Sequence, residues 1–402
     1  VIDGRDKYLM PGLFDCHVHI AFNGFLNTKS DYRKNLKQFL VHGVTQIVDF
    51  FTVGGWFPGS SAETIRDDIN SGRVLGPWFL TSYGCLNAPG GFCSCSVGDA
   101  ASAVVTHDDV AREMERLDRI KPDFIKIVYD DVFGTLPNLT PEILGQLIDD
   151  AHARDYRVAV HIATYAQAQE ALERGADILG HGIVDSIPPD FLKKMADAGV
   201  VMVPTLASYE ARSLPRARLP LPPYPSLESL QEYARHERSI YEKNDQLHLY
   251  SAAHDQAVRN IRPMHDAGVT LVAGSDSGTW YTFPGAGLLR ELEIYYEAGL
   301  SPAEILKMAT IEAARAFQLE HRFGSIEPGK VANTVLLGGN PLSSVSNLRQ
   351  VELVTLNGQL LDVAQLRGEL LAPSDVLSEV EAPDEEICSP HHLPRATSRP
   401  AS

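Results

Sequence analysis

The sequence predicts an α/β protein: a (β/α)8 TIM barrel with a small, incomplete β-sandwich appendage. Three observations predict it. Short apolar runs alternate with amphipathic helical stretches, eight such runs occur before residue 275, and after residue 324 the pattern changes to short strands and turns.

The runs span 13–18, 46–51, 78–83, 124–129, 158–162, 177–180, 201–206 and 270–274. Each is rich in Val, Ile, Leu or Phe and is bounded by Gly, Pro, Asp or polar residues. Near-continuous apolar strands separated by helices imply a parallel sheet covered on both faces. Helical stretches between them include "DYRKNLKQFLVHG", "THDDVAREMERLDRI", "TPEILGQLIDDAHARD" and "YAQAQEALERG". "TPEI" supplies a threonine cap and a proline at the first helical position, and "ERG" stops its helix on glycine. An open doubly wound sheet is the structural alternative. It would place a Gly-rich phosphate turn after the first strand, where this chain has His17-Val18-His19.

The expected organisation is the start of the small sandwich at 1–8, the barrel at 9–324, the rest of the sandwich at 325–365 and a disordered tail at 366–402. A Pro-rich insertion at 207–250 follows the seventh strand. It falls on the catalytic face of a barrel, as a lid or substrate wall.

Among 402 residues, 44% are hydrophobic and 22% charged, an ordinary globular balance. The net charge of −17 argues against nucleic acid and anionic membrane surfaces as partners. No apolar run is long enough to cross a bilayer. A small-molecule substrate, a homo-oligomer and a cytoplasmic location are expected, although the chain opens at "VIDGRDKYLMPG", which reads as mid-domain. Cys16, Cys85, Cys93, Cys95 and Cys388 do not look like a disulfide framework; Cys93-Ser94-Cys95 reads as a surface loop with two thiols.

His17 and His19 share one side of the first strand, because residues i and i+2 face the same way. His161 ends the fifth strand, His181 the sixth, and Asp276 follows the eighth. Taken singly, a strand-end histidine more often hydrogen-bonds than ligates, and Ser-Asp-Ser-Gly also reads as a turn. Five such residues at one structural level match the donor set of a zinc-like divalent ion. Lys126, in "DFIKIVYD", lies inside a strongly apolar strand, where an unpaired ammonium is costly. It is therefore paired with Asp130 or Asp276, or neutral and free to add carbon dioxide, giving a carbamate able to bridge two metals.

These motifs resemble the amidohydrolase superfamily, in its imidazolonepropionase-related and Xaa-Pro dipeptidase-like branch. "PGLFDCHVHI" is similar to its first-strand signature, "DFIKIV" to its strand-four lysine, and "VAVHIAT" and "DILGHGI" to its two histidine strands. "VAGSDSG" resembles its strand-eight aspartate, and "GSIEPGKVANTVLL" the return to the small sandwich. The resemblance covers about residues 1 to 362. It implies two divalent ions, most simply zinc: His17 and His19 on the more buried one, His161 and His181 on the more exposed one, and carboxylated Lys126 between them. Asp276 would be both ligand and general base. The implied activity is hydrolysis of an amide-like C–N bond (dipeptide, N-acyl amino acid, cyclic amide or carbamate) by metal-activated hydroxide. The chain departs from the family pattern in lacking an N-terminal sandwich half, in Asn333 where an acid is usual, and in the "YDDVFG" loop.

Rival readings are an ester or organophosphate hydrolase on the same site, a non-catalytic scaffold relative, and a mononuclear deaminase. The deaminase pattern places a glutamate where this chain has Thr164. Tyr129, Tyr209 and Arg212 are within reach of the barrel mouth, with the substrate itself left open.

Overall fold

Each of the eight apolar runs contains a strand in the computed structural model, which describes residues 2–22, 32–51, 62–97, 101–213, 247–279 and 281–371. A short strand, β1 (Tyr8–Pro11), comes first, followed by β2 (Leu13–Val18), β3 (Val44–Asp49) and β4 (Trp78–Thr81). Two strands of two residues, β5 (Leu86–Asn87) and β6 (Ser102–Ala103), were not expected. Then come β7 (Ile125–Val128), β8 (Val158–His161), β9 (Ile178–Gly180), β10 (Val201–Val203) and β11 (Thr270–Leu271).

These strands pair in parallel as two sheets, β2-β3-β4 and β11-β10-β9-β8-β7-β5-β6. Backbone hydrogen bonds join the sheets at both ends. Cys16 N–H donates to the Ala273 carbonyl at 2.9 Å and Asp276 N–H to that of His17 at 2.8 Å. At the other junction Asp123 N–H donates to Thr81 at 2.9 Å. Every residue of β2, β3, β7, β8, β9 and β10 is buried, as strands covered on both faces require.

The helices between the strands start on readable caps. Thr140 accepts from Ile143 N–H with Pro141 at the first turn, and Thr106 forms a capping box with Asp109. Thr164 has the same role, closing a capping box with Gln167. The residue that set this chain apart from the deaminase pattern therefore begins a helix.

The last strands, β12 (Thr334–Leu337), β13 (Val351–Leu356) and β14 (Gln359–Leu361), join β1 in an antiparallel sheet ordered β1-β12-β13-β14. Asn357 and Gly358, at φ of 52° and 78°, turn β13 into β14. Asn333 keeps a contact at its position: its side-chain oxygen accepts the Asn357 N–H at 2.7 Å. Met10, Val335, Val351 and Val354 of this sheet belong to the same apolar core as Ile125, Val158 and Leu271. The helix Val363–Leu371 buries Leu366 and Leu370. Of the insertion expected at 207–250, residues 214–246 lie outside the described residues, as do 372–402 of the expected tail.

The insertion is entered by the helix Leu206–Ser213, which packs on the helix Ala286–Glu297. Glu291 on the second helix is fully buried and accepts the Ala207 N–H at 2.6 Å. Burial raises its carboxyl to about 8, against the lowering effect of the Leu206 and Ala207 amides. The folded state therefore holds a proton that the unfolded chain releases near pH 4.5, so this group's stabilisation is complete below that pH and is lost as pH rises through about 8. Glu291→Gln is expected to flatten the fall of the unfolding free energy, measured by urea titration, between those values by up to about 1.4 kcal/mol per pH unit. Parallel midpoint profiles for the two proteins would remove the assignment.

Candidate metal centre

Six side chains, from five strands and the segments that follow them, reach one cavity. His17 and His19 come from the end of β2, Lys126 from β7, His161 from the last residue of β8, His181 from the residue after β9, and Asp276 from the segment after β11. All six line a cavity of about 600 Å³. Their approach needs small residues behind them. A Cβ at Gly180 would lie 3.3 Å from His17 Nδ1, and one at Gly274 would lie 2.4 Å from Val203 and 2.9 Å from the His17 amide. At Gly278, φ +105°, it would lie within 2.2 Å of the His19 carbonyl.

His17, His19 and Asp276 each offer a ligand atom within 4.8 Å of the others. His19 Nε2 is 3.1 Å and His17 Nε2 3.7 Å from Asp276 Oδ1. The second pair adjoins them: the His17 and His181 rings are 4.5 Å apart, and those of His161 and His181 4.2 Å.

Electrostatics fit ligation. Burial pushes His17 and His181 well below the usual histidine value. It also lowers His161, with the Asp130 hydrogen bond acting against it. All three are thus neutral imidazoles, the form that binds metal. Burial would raise Asp276, but the His19 hydrogen bond and the nearby Arg212 guanidinium hold it far below the ordinary carboxylate range.

Lys126 forms no ion pair with Asp130 or Asp276: its Nζ is buried without a hydrogen-bond partner, 4.5 Å above the Phe50 ring. Burial lowers it to about 7. Of the two states the sequence left open, the paired ammonium is not the one observed.

Several supporting groups were not anticipated. Asp130 Oδ2 takes His161 Nε2 at 3.1 Å, leaving Nδ1 as the ring's other nitrogen. Thr205 Oγ1 meets His181 Nδ1 at 2.6 Å, leaving Nε2. Ser208 donates to Asp276 Oδ2 at 2.8 Å. Tyr209 and Arg212 line cavities at the site, whereas Tyr129 is buried and lines neither. Cys85 and Cys93 corrected the surface-loop expectation: both are buried in the cavity wall and disulfide-bonded to each other. Asp130→Asn is expected to weaken metal affinity about 10- to 100-fold, the scale for losing a group that orients a ligand. Zinc competition against a chelator measures it; equal affinities would leave Asp130 no such role.

Comparison with known proteins gives this geometry a context. The profile of the Amidohydrolase family matches residues 8–361. The chain belongs to the amidohydrolase family. As a member it is an enzyme, a hydrolase acting on carbon–nitrogen bonds, in a family that generally uses divalent metal ions. This amidohydrolase is 23% identical over 391 residues to an ochratoxinase from Aspergillus niger, covering 87% of this chain and 74% of that protein. It is 23% identical over 382 residues to the imidazolonepropionase of Geobacillus kaustophilus, with 84% and 76% covered. The structure of a Xaa-Pro dipeptidase with bound methionine superposes with a TM-score of 0.70 at 23% identity, covering 89% of this chain and 87% of that one. The family resemblance carried by the motifs is borne out. No helix among the described residues is long and apolar enough to cross a membrane.

Proposed function

We propose that this amidohydrolase is a binuclear zinc enzyme that hydrolyses an amide-like C–N bond in a small molecule. The observation that carries the reading is the convergence of His17, His19, Lys126, His161, His181 and Asp276 on one cavity. In this reading the two parallel sheets form one closed (β/α)8 barrel over 9–324, and the antiparallel sheet belongs to a small sandwich domain built from 1–8 and 325–365.

The residues fit a pair of divalent ions. His17, His19 and Asp276 would hold one and His161 and His181 the other, with Lys126 as a carbamate between them. Lys126 Nζ supports this role, since a buried amine with no hydrogen-bond partner is costly as an ammonium and suited to addition of carbon dioxide. When bound, the ions supply Lewis acidity, which eases deprotonation of water near neutral pH and polarises a carbonyl.

The protein's own groups manage the proton. Asp276 is ionised, with His19 on Oδ1 and the Ser208 hydroxyl on Oδ2 fixing its plane. It accepts a proton from the water that adds to the acyl carbon and passes it to the departing nitrogen as the C–N bond breaks. The products are a carboxylate and an amine. Asp130 and Thr205 keep the rings of His161 and His181 from rotating. The apolar wall around Phe50, Phe51 and Phe92 limits bulk water.

The test is a hydrolysis screen of dipeptides, N-acyl amino acids, lactams and aryl carbamates, using protein supplied with zinc and bicarbonate, alongside metal analysis. About two equivalents of metal and turnover of one amide class are expected. Loaded protein that cleaves only esters, or protein that holds no metal, would overturn the reading.

A further inference from the structure

Cys85 and Cys93, eight residues apart, are joined by a disulfide, and both line the metal-centre cavity. The proposed hydrolysis gives that bond no part. Its two ends are held very differently. Cys85 directly precedes β5, where Leu86 pairs with Ile127 of β7, the neighbour of Lys126. That end is fixed in the parallel sheet. Cys93 lies on the six-residue helix Phe92–Val97, entered through Gly90, at φ +67°, and Gly91. So short a helix keeps its shape through its attachments. These include Ser94 N–H donating to Asn87 Oδ1 and Asn87 Nδ2 donating to Ser94 Oγ, both at 3.1 Å.

The helix carries Phe92 to the site. Its ring stands 5.1 Å from that of His161 and lines both the 600 Å³ cavity and an adjoining one of about 450 Å³. Phe92 packs on a cluster that includes Phe51, Val128 and the two cysteines, separate from the main core. A small apolar patch and one covalent bond thus seat this ring. Cys85 and Cys93 are only 3% and 8% exposed, which leaves the cavity as the route by which a small molecule reaches their sulfurs.

We propose that the Cys85–Cys93 pair is a redox modification site: a small thiol entering through the cavity reduces it, the helix Phe92–Val97 loosens, and the screen over His161 is lost. Retention of a divalent ion by His161 then follows the redox state of the surroundings. This goes beyond the proposed hydrolysis, holds whichever C–N bond is cut, and takes from that reading only the assignment of His161 as a ligand.

The step balances with two molecules of a monothiol. The first, as thiolate, attacks one sulfur of the pair, the S–S bond breaks, and the departing sulfur takes up a proton. The second attacks the mixed disulfide so formed, releasing the oxidised thiol and, after protonation, the second cysteine. Two electrons pass to the protein, and the protons of the two thiols go with them. With the link open, the Gly90-Gly91 segment regains freedom and local unfolding of 85–97 becomes easier.

The experiment uses zinc-loaded wild type and Cys85→Ala/Cys93→Ala, each with and without a water-soluble trialkylphosphine. The phosphine reduces the bond while its phosphorus takes oxygen from water, and it is used because dithiols compete for zinc themselves. Without denaturant, wild type should gain two alkylation labels, mapped to Cys85 and Cys93. Amide hydrogen exchange across 85–97 should then rise at least about 10-fold, with the helix Pro141–His152 unchanged. A chelator should strip zinc about 10-fold faster from the reduced protein, the scale for loss of a group that shelters a ligand. Reoxidation with oxidised glutathione should reverse all three. The alanine variant should exchange and lose zinc at the reduced rate and ignore the phosphine.

A bond that is reduced only in denaturant overturns the proposal, as does reduction that leaves exchange of 85–97 unchanged. Faster exchange with an unchanged rate of zinc removal overturns the link to metal retention. Phosphine that speeds zinc loss from both proteins alike overturns it too. Protein that takes up no zinc overturns the proposed function and the retention claim together, while labelling and exchange still decide the redox site.

Discussion

Lys126→Ala protein, stripped and reloaded with zinc and bicarbonate, is expected to hold at most about one equivalent of metal and to hydrolyse its amide substrate at least about 100-fold more slowly. The lower bound is the cost of removing a group that merely orients a ligand, and a bridging anion contributes more. The fold should survive. Lys126 Nζ makes no hydrogen bond, and alanine removes a buried amine that burial disfavours. Circular dichroism and the thermal midpoint would check this. A small carboxylic acid in the buffer should restore part of the activity by filling the vacated space with an anion. Full metal content and full rate in the variant would remove the bridge from the proposed function.

Asp276→Asn is expected to lower kcat by about 10²- to 10⁴-fold, the range for loss of general acid–base transfer. Asparagine nearly preserves the shape, so Ser208 and His19 keep a partner on that side chain. It cannot accept a proton. Because Asp276 is also assigned as a ligand, metal analysis must accompany the kinetics. Loss of rate at retained metal identifies proton transfer, and loss of both identifies ligation. A variant with wild-type kcat would sink the assignment.

The eight strands were legible because each is a Val-, Ile-, Leu- or Phe-rich run between breakers, and six of them proved buried on both faces. The five polar residues at or just past their ends, and Lys126 inside β7, were legible because they interrupt that apolar pattern. β5 and β6 were not, since two residues carry no periodicity. Thr205, Ser208 and Asp130 were missed as supports for a different reason. Asp130 was read as an ion-pair partner of Lys126, and the Thr205 and Ser208 hydroxyls carry no signal until their partners from other strands are in place. The Cys85–Cys93 pairing was hidden in the same way, because the neighbouring Cys93-Ser94-Cys95 motif drew the reading toward an exposed loop.

The junction between β2 and the segment after β11 has a consequence for synthesis. Asp15 accepts hydrogen bonds from Ser275, 260 residues later in the chain, and Val18 bridges Ser277. The His17, His19 and Asp276 donors therefore cannot assemble until residue 276 has left the ribosome. A nascent chain stalled before that point has the two histidines without Asp276, so in the proposed metal centre capture of an ion would belong to the end of folding. Once captured, it would clasp the first and last parallel strands together.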